Sequence, residues 1–324
     1  MPYVNAAGAK LYFEESGDGY PVIFVHEFGS DIKQWNSQIR YFSRAYRCVT
    51  YNARGYPPSD VPEDAALYGW EFSIDDLAAV MRDLSIDRAH LIGLSMGAYA
   101  ALQFGLRHPE KVSAIVAAAI GSGSPPSQRD AWLKETSVLS RIFIEHGMHS
   151  MAERMARGPG RIQLKYKDRK SWLEFVESLR QHSARGMSNT MARCQALRPS
   201  LHDLQEALSE MAVPILLAVG DEDAACLETN LMLKTSLANA GLWICPNTGH
   251  AINLEEPAAF NAQVESFLSA VERGSWRRAY PGTRKRSDLV AHRQPRQGGL
   301  SHHNNQSQVN GGARHGSRLL TGPH

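Results

Sequence analysis

A serine lies between two glycines at the end of an apolar run, in the segment LIGLSMGAYAALQFG. Gly93, Ser95 and Gly97 form a GxSxG pattern, in which the glycines permit a sharp turn that leaves the serine hydroxyl exposed. The alanine-rich helical pattern that follows puts the N–H of Met96 at a helix start, where it can donate to a developing oxyanion. These residue types at this spacing indicate a nucleophile that attacks a carbonyl carbon.

A serine hydroxyl is a weak nucleophile unless a base removes its proton, and that base is normally a histidine held by a carboxylate. Both side-chain types follow Ser95 in the chain. The stretch VGDEDAAC places Asp221 and Asp223 after one apolar run, and PNTGHAINLEEP places His250 in a loop after the next. Because parallel strands end at one edge of a sheet, Ser95, His250 and one of these aspartates are predicted to converge there.

The segments that must position these residues alternate between strand and helix patterns. Short apolar runs such as YPVIFVHE, YRCVTYNA, AHLIGL, VSAIVAAAI and VPILLAVG are typical of strands that are covered on both faces. Helical spacing separates them, as in SIDDLAAVMRDL, where we expect Ser73 as the N-cap with Asp76 near the exposed amides. A later helix is expected to end at Gly241. The predicted fold class is α/β, with a mostly parallel central sheet covered by helices on both faces.

This alternation stops at Gly121 and resumes near Pro199. Residues 121–199 are helical in pattern and contain no strand-like run, which predicts an all-helical lid inserted into the sheet domain. The sheet domain then comprises residues 1–120 and 200–272. Residues 274–324 lack apolar periodicity and are predicted to form a disordered basic tail.

Charge is distributed unevenly along the chain. From Arg273 to the end there are ten Lys and Arg residues and one acidic residue, Asp288, whereas the whole chain has 35 basic and 33 acidic residues. The basic run TRKR has no interleaved aromatic residues. We therefore expect a solvated extension and no nucleic-acid partner.

Several other classes of protein are disfavoured. The first thirty residues show no basic segment followed by an apolar one, and no apolar run approaches the roughly 20 residues of a membrane span, so we expect a cytoplasmic protein with no membrane partner. The four cysteines lack CxxC spacing and the histidines lack ligand spacing, so neither a disulfide framework nor a metal site is expected. GSGSPP lacks phosphate-binding spacing, and no cofactor is expected.

The stretches VIFVHEFGS, YNARGYPPSD, GLSMG, VGDED and NTGHAINLEEP together resemble the α/β-hydrolase superfamily from about residue 3 to residue 272. By position, the resemblance implies Ser95 as the nucleophile and His250 as the general base. The superfamily usually places its acid three residues after the strand-end glycine, which implies Asp223 rather than Asp221. On this interpretation Asp221 caps a loop or turn.

The stretch HEFGS departs from the superfamily, which commonly has His-Gly where this chain has His26 and Glu27. If the loop keeps its course, the N–H of Phe28 joins that of Met96 in an oxyanion hole. Because a carboxylate beside a developing anion would oppose it, we expect Glu27 to turn outward or to bond locally. His26 is expected to orient this loop by hydrogen bonds, and Arg54 to fix the loop beside the nucleophile.

The resemblance implies a serine hydrolase that needs no cofactor and no metal. Its substrate would be a small-molecule ester, thioester or lactone, cleaved through an acyl-enzyme on Ser95. The same triad could instead cleave a carbon–carbon bond next to a ketone, or transfer the acyl group to an acceptor other than water. A receptor that uses the fold for ligand binding is an alternative of another class; a broken triad would favour it, and all three groups are present. The lid is where such proteins diverge most, so the fold does not predict the substrate.

Overall fold

The apolar runs form a central sheet in the computed structural model, which describes residues 2–276. Its eight strands are Tyr3–Ala6 (β1), Ala9–Ser16 (β2), Tyr20–Val25 (β3), Tyr46–Tyr51 (β4), Ala89–Leu94 (β5), Val112–Ala118 (β6), Ile215–Gly220 (β7) and Ala240–Cys245 (β8). They lie in the order β1-β2-β4-β3-β5-β6-β7-β8. The pairs β1–β2 and β2–β4 are antiparallel, and all other neighbours are parallel. The prediction of a mostly parallel sheet is confirmed.

Helices connect the strands and lie on both sides of the sheet. They are Asn36–Phe42 (α1), Trp70–Asp83 (α2), Met96–Arg107 (α3), Pro126–Ala156 (α4), Ile162–Lys167 (α5), Arg169–Gln181 (α6), Ala184–Asn189 (α7), Gln205–Glu210 (α8), Ala224–Ser236 (α9), Ile252–Glu255 (α10) and Pro257–Glu272 (α11). None of the helices within residues 2–276 is long and apolar enough to cross a membrane.

Successive side chains of a strand point to opposite sides of the sheet, and in this protein apolar side chains cover both faces. Ile23 and Leu91 belong to the buried cluster that includes side chains of α2 and α3. Their neighbours Phe24 and Ile92 belong to a second cluster, which includes side chains of α1 and α11. Coverage on both faces explains why the strands are continuous apolar runs in the sequence.

The segment between β6 and β7 is helical. It contains α4 to α7 and a π-helical turn at Thr190–Gln195, with no strand among its residues, all of which the structure describes. We call residues 121–199 the lid. Its apolar side chains form a third cluster, which also includes Phe28, Tyr56 and Met96 of the sheet domain. Because Phe28 follows β3 and Met96 follows β5, this cluster holds the lid over the carboxyl edge of the sheet.

Helix α2 begins earlier than its sequence pattern predicts. Its first residue is Trp70 and its N-cap position is Gly69, so Ser73 lies inside the helix and the predicted N-cap is wrong. Trp70 packs against the first apolar cluster, which extends the helix by about one turn. Asp76 is buried within the helix and pairs with Arg54 at 2.6 Å instead of lying near the exposed amides.

Residues 274–276, the start of the predicted tail, are described and contact the sheet domain. Trp276 packs edge-on against Phe267 with ring centroids 4.7 Å apart, and its Nε1 donates to the carbonyl of Asn239 at 3.3 Å. The indole occupies the position that a side chain on Gly241 would take, and Gly241 lies in β8 instead of ending α9 as predicted. The rest of the predicted tail, residues 277–324, lies outside the described residues.

Deleting residues 280–324 is expected to leave the melting temperature and the activity nearly unchanged, because a segment without apolar periodicity buries little surface. Thermal unfolding of the truncated and full-length proteins measures this. Trp276→Ala in the full-length protein is the contrasting variant, since it removes a packed aromatic ring and should lower the melting temperature. A fall of many degrees on truncation would show instead that the tail docks on the sheet domain.

Candidate active site

Ser95 lies in a sharp turn between β5 and α3. Its backbone has φ 52° and ψ −108°, a strained conformation for a residue with a side chain. The turn is held because its N–H donates to the carbonyl of Ala118 at 2.8 Å. A Cβ on Gly97 would overlap the carbonyl of Val25, and one on Gly93 would overlap the backbone of Gly97. The GxSxG pattern is therefore explained by close backbone packing, which presents Ser95 at the carboxyl edge of the sheet.

Asp223 and His250 lie in the loops that follow β7 and β8. Because β5 to β8 are parallel neighbours, these loops and the turn at Ser95 meet at one edge of the sheet. Asp223 Oδ2 lies 2.7 Å from His250 Nδ1, and the backbone N–H of His250 donates to the carbonyl of Gly160 in the lid at 2.6 Å. Ser95, Asp223 and His250 line one cavity between the sheet and the lid.

The electrostatics of Asp223 and His250 favour an ion pair. Both side chains are buried, which by itself would favour their neutral forms. Burial raises the pKa of Asp223, but the charge and hydrogen bond of His250 outweigh this and hold it below its usual range. Burial likewise opposes the charge on His250, yet the Asp223 carboxylate raises the pKa of His250 well above its usual value. Asp223 is therefore a carboxylate that accepts the Nδ1–H of His250.

Asp221, two positions earlier, has a different environment. Its side chain is exposed, and its Oδ1 accepts the N–H of Thr248 at 3.1 Å. Backbone N–H groups of Thr248 and Asn247 hold the pKa of Asp221 below its usual range. Asp221 thus links the loops after β7 and β8. Of the two aspartates, the structure places Asp223 against the imidazole.

Two backbone N–H groups were predicted to bind an oxyanion. Met96 is the first residue of α3, so its N–H has no partner inside the helix. Within residues 2–276, no acceptor is recorded for the N–H of Met96 or of Phe28. The side chain of Phe28 lines the same cavity as Ser95. Both N–H groups therefore remain able to donate to a bound molecule, and their role as an oxyanion hole stays a prediction.

Of the two orientations expected for Glu27, outward or locally bonded, the structure does not show the outward one. Its carboxylate is fully buried, its Oε2 lies 3.5 Å from His250 Nε2, and the same oxygen accepts a hydrogen bond from Arg161 of the lid. Arg161 Nη2 also donates to the carbonyl of Phe28 at 3.4 Å. The outward alternative is wrong because it leaves out the charged groups that the fold brings to Glu27 from other parts of the chain. The lid supplies a cation from a distant part of the chain, and this cation offsets the charge of Glu27.

His26 and Arg54 hold the loops beside the site. His26 Nδ1 donates to the carbonyl of Glu27 at 2.8 Å, and its Nε2 accepts the N–H of Ala53 at 3.0 Å. Burial lowers the pKa of His26, which matches a neutral ring that donates on one side and accepts on the other. Arg54 donates twice to Asp76 and to two backbone carbonyls. The structural roles expected for His26 and Arg54 are confirmed.

Within residues 2–276, one group of side chains could reach a single metal ion: Asp223, Cys226 and His250, whose donor atoms lie within 4.8 Å of one another. Cys226 Sγ lies 3.8 Å from His250 Nδ1 and 3.2 Å from the carbonyl of Ala119. A metal would require the thiolate, and burial raises the pKa of the Cys226 thiol. We therefore interpret the group as hydrogen-bonded side chains behind the imidazole, and not as a metal site.

The cavity that contains Ser95 has a volume of about 690 Å³. Most of its lining side chains belong to the lid. Its larger apolar lining side chains are Phe28, Trp132, Leu139, Phe143, Met151, Met155 and Met191. Apart from the triad, its larger polar lining side chains are Gln128, Glu135, Arg154, Arg161 and Gln195. The cavity can therefore hold a predominantly apolar molecule that carries a few polar groups.

Sequence reasoning missed Gly160, Arg161 and Cys226. Gly160 and Arg161 belong to the stretch GPGRI, which follows the end of α4. A Gly-Pro-Gly turn inside a helical insertion is a local signal that could have drawn attention to them. Cys226 offers no such signal, because the sequence around a buried cysteine in a helix does not indicate which part of the protein the helix packs against.

A sequence model described as the alpha/beta hydrolase family matches residues 22–263 of this chain. The match runs from β3 into α11. It therefore includes the turn at Ser95, the loops of Asp223 and His250, and the whole lid.

Individual proteins are similar over most of their length. The 3-oxoadipate enol-lactonase 1 of Acinetobacter baylyi is 24% identical over 270 residues, which cover 83% of this chain and 96% of that protein. The 2-hydroxy-6-oxo-6-phenylhexa-2,4-dienoate hydrolase of Burkholderia cepacia is 23% identical over 270 residues, which cover 80% of this chain and 91% of that protein. The crystal structure of the enol-lactonase from Burkholderia xenovorans superposes with a TM-score of 0.72 at 22% identity, covering 83% of this chain and 100% of that one. This last likeness shows a shared fold.

Proposed function

The chain belongs to the alpha/beta hydrolase family and is a hydrolase, and from this premise we propose that it cleaves a small-molecule ester, thioester or lactone through an acyl-enzyme on Ser95. One observation carries the proposal: Ser95, held in a strained turn, lines the same cavity as His250, whose Nδ1 lies 2.7 Å from Asp223. A hydroxyl nucleophile, a base and a carboxylate that orients the base are the groups that acyl transfer requires.

In the first half of the proposed reaction, Ser95 Oγ attacks the carbonyl carbon while His250 Nε2 accepts the hydroxyl proton. Asp223 holds the imidazole through Nδ1–H and stabilises the imidazolium that forms. The N–H groups of Phe28 and Met96 donate to the negative charge that develops on the carbonyl oxygen. His250 then gives the proton to the leaving alcohol, thiol or ring oxygen, and the acyl group stays on Ser95.

In the second half, water replaces the leaving group. His250 accepts a proton from water as the water oxygen attacks the acyl carbon, and the proton passes to Ser95 Oγ as the carboxylic acid leaves. For a lactone, the leaving oxygen belongs to the same molecule as the acyl group, so a single hydroxy acid is the product.

The cavity supports a medium-sized apolar acyl group. Its volume of about 690 Å³ lies in the range of pockets that hold small organic molecules. Aromatic side chains and methionines supply most of its apolar lining, and methionine adapts to ligands of different shape. The polar side chains Gln128, Arg154 and Gln195 offer partners for a second functional group on the substrate.

Cleavage of a carbon–carbon bond next to a ketone is a second candidate reaction. It is favoured by the similarity to the dienoate hydrolase of Burkholderia cepacia, whose name denotes a hydrolase acting on a ketone-bearing acid. The same hydroxyl, base and N–H donors would serve, but the leaving group would be a carbanion that takes up a proton. A ketone substrate that is cleaved faster than any ester or lactone would favour this reaction.

A panel of p-nitrophenyl esters of increasing acyl length, together with lactones, tests the proposed function. We expect hydrolysis to be fastest for acyl chains of about four to eight carbons, with kcat/KM rising about fourfold for each methylene group until the cavity is filled. A fluorophosphonate, which modifies activated serines, should abolish the activity. Failure to hydrolyse any ester, thioester or lactone in the panel would contradict the proposal.

A further inference from the structure

Both ring nitrogens of His250 face a carboxylate. Nδ1 lies 2.7 Å from Asp223 Oδ2, and Nε2 lies 3.5 Å from Glu27 Oε2. In the proposed reaction, Nε2 is the atom that must accept the proton of Ser95. Among the hydrogen bonds of residues 2–276, none joins Ser95 Oγ to this nitrogen. A positive charge on the ring therefore has Glu27 within ion-pair distance of Nε2, and no hydrogen bond links this nitrogen to Ser95.

The position of Glu27 is fixed by its own backbone. Its N–H donates to Gln34 Oε1 at 3.1 Å, and its carbonyl accepts from His26 Nδ1 at 2.8 Å. The side chain is fully buried, and its Oε1 has no hydrogen-bond partner among the described residues. A buried carboxylate in this state attracts any cation that can approach it. Among residues 2–276, two cationic groups lie within ion-pair distance of it: the guanidinium of Arg161 and the protonated ring of His250.

We propose that Glu27 is a positioning residue for the reaction described above: it holds the protonated ring of His250 through Nε2, and Arg161 of the lid weakens this hold by pairing with the same carboxylate oxygen. The inference rests on the proposed function, in which His250 must be neutral before it can accept a proton from Ser95. With Arg161 against Glu27, the ring loses its proton more readily. Without Arg161, the charge of Glu27 acts on the ring undiminished.

This arrangement couples the lid to the base. Arg161 lies between α4 and α5, so its contact with Glu27 exists only while that part of the lid lies over the sheet edge. When the lid covers a bound substrate, His250 is therefore in its more readily deprotonated state. When this lid segment is displaced, Glu27 keeps the ring protonated and Ser95 is not activated.

In the part of the chain that the structure describes, the charged and titratable groups that face His250 come from three segments. Asp223 and Cys226 belong to the segment after β7, Glu27 to the loop after β3, and Arg161 to the lid. Cys226 is a neutral thiol, because burial raises its pKa. Two negative charges and one positive charge then surround the ring. Burial lowers the pKa of His250, but the carboxylate of Asp223 outweighs it, so the pKa lies above its ordinary value and activity is expected to rise with pH through it.

Glu27→Gln and Arg161→Gln test this inference with shifts of opposite sign. Glu27→Gln keeps the shape and removes the charge, so the midpoint of His250 titration should fall by about one to two pH units. Arg161→Gln removes the competing cation, so the midpoint should rise. Arg157→Gln is the matched control, because it removes a lid arginine that pairs with Glu153 at the surface, and it should leave the midpoint in place.

Two measurements on the full-length protein follow the titration. The first is NMR of protein labelled with ¹³C-histidine, in which the His250 signal is identified by its loss in His250→Gln. The second is the pH profile of kcat/KM for a p-nitrophenyl ester, whose acid limb should move with the NMR midpoint in each variant. A purely structural role for Glu27 would change the stability of the protein without moving either midpoint.

An unshifted or raised midpoint in Glu27→Gln, or a lowered one in Arg161→Gln, would overturn the inference. If Glu27→Gln does not fold, Arg161→Gln gives the test at a partly exposed position, and Glu27→Asp, which keeps the charge, should titrate close to the unmodified protein. The expected NMR shifts in a protein that hydrolyses no ester, thioester or lactone would support the hold of Glu27 on His250 and overturn the proposed function. Hydrolysis of such a substrate with unshifted midpoints would support the proposed function and overturn the inference about Glu27.

Discussion

Ser95→Ala is expected to lower kcat by about 10⁶ while the protein keeps its fold, because removal of the nucleophile closes the acyl-enzyme route. No hydrogen bond of the Ser95 hydroxyl is recorded within residues 2–276, so its loss leaves no buried partner unsatisfied. Alanine can keep both backbone hydrogen bonds of this position, in which the N–H donates to the carbonyl of Ala118 and the carbonyl accepts the N–H of Tyr99. Initial rates on a p-nitrophenyl ester and the thermal unfolding curve measure both halves of this prediction.

Ser85→Ala is the matched control for Ser95→Ala. Ser85 also has a positive φ, 53°, but lies in the turn between α2 and β5, away from the cavity. Any effect of placing alanine in this strained conformation should therefore appear in both variants, whereas only Ser95→Ala should lose turnover. Activity above a few per cent in Ser95→Ala, or its continued labelling by a fluorophosphonate, would refute the assignment of the nucleophile.

Asp223→Asn is expected to lower kcat by about 10⁴, a loss of the size seen when the triad carboxylate of a serine hydrolase is neutralised. Asp223 Oδ2 accepts the Nδ1–H of His250 at 2.7 Å. An amide NH₂ at this position would donate to Nδ1 and favour the ring tautomer that carries its proton on Nε2. That tautomer cannot accept the proton of Ser95. The measurement is kcat on one ester at a pH where the unmodified protein is fully active.

Asp221→Asn is the matched control for Asp223→Asn, since both replace an aspartate of the same loop. Asp221 Oδ1 accepts the N–H of Thr248 at 3.1 Å on the exposed side of the loop. Loss of such a hydrogen bond costs roughly 1 kcal/mol, so kcat should fall by no more than about tenfold. If Asp221→Asn lost its turnover while Asp223→Asn remained active, the acid of the site would be Asp221.

Local pattern was sufficient to predict the sheet and the turn at Ser95. The strand runs are continuous because both faces of the sheet are covered, and Gly93 and Gly97 are glycines because the neighbouring backbone leaves no room for a Cβ. Local pattern was misleading at Ser73, where packing of Trp70 extends α2 by about one turn, and at Gly241, which lies under Trp276. In both places a tertiary contact outweighed the local preference for a helix end.

The sequence by itself determined the order of the elements and that Ser95, an aspartate and His250 follow parallel strands, because those features depend on periodicity and chain order. Residue spacing alone left Asp221 and Asp223 both open, and the family resemblance implied Asp223. The tertiary structure supplies the physical difference, since the two aspartates point to different sides of their loop and Asp223 lies against the imidazole. Only the tertiary structure placed Glu27 inside the site. A buried carboxylate needs a counter-charge, and that charge comes from Arg161, which is far from Glu27 in the chain and reaches it only when the lid folds over the sheet edge.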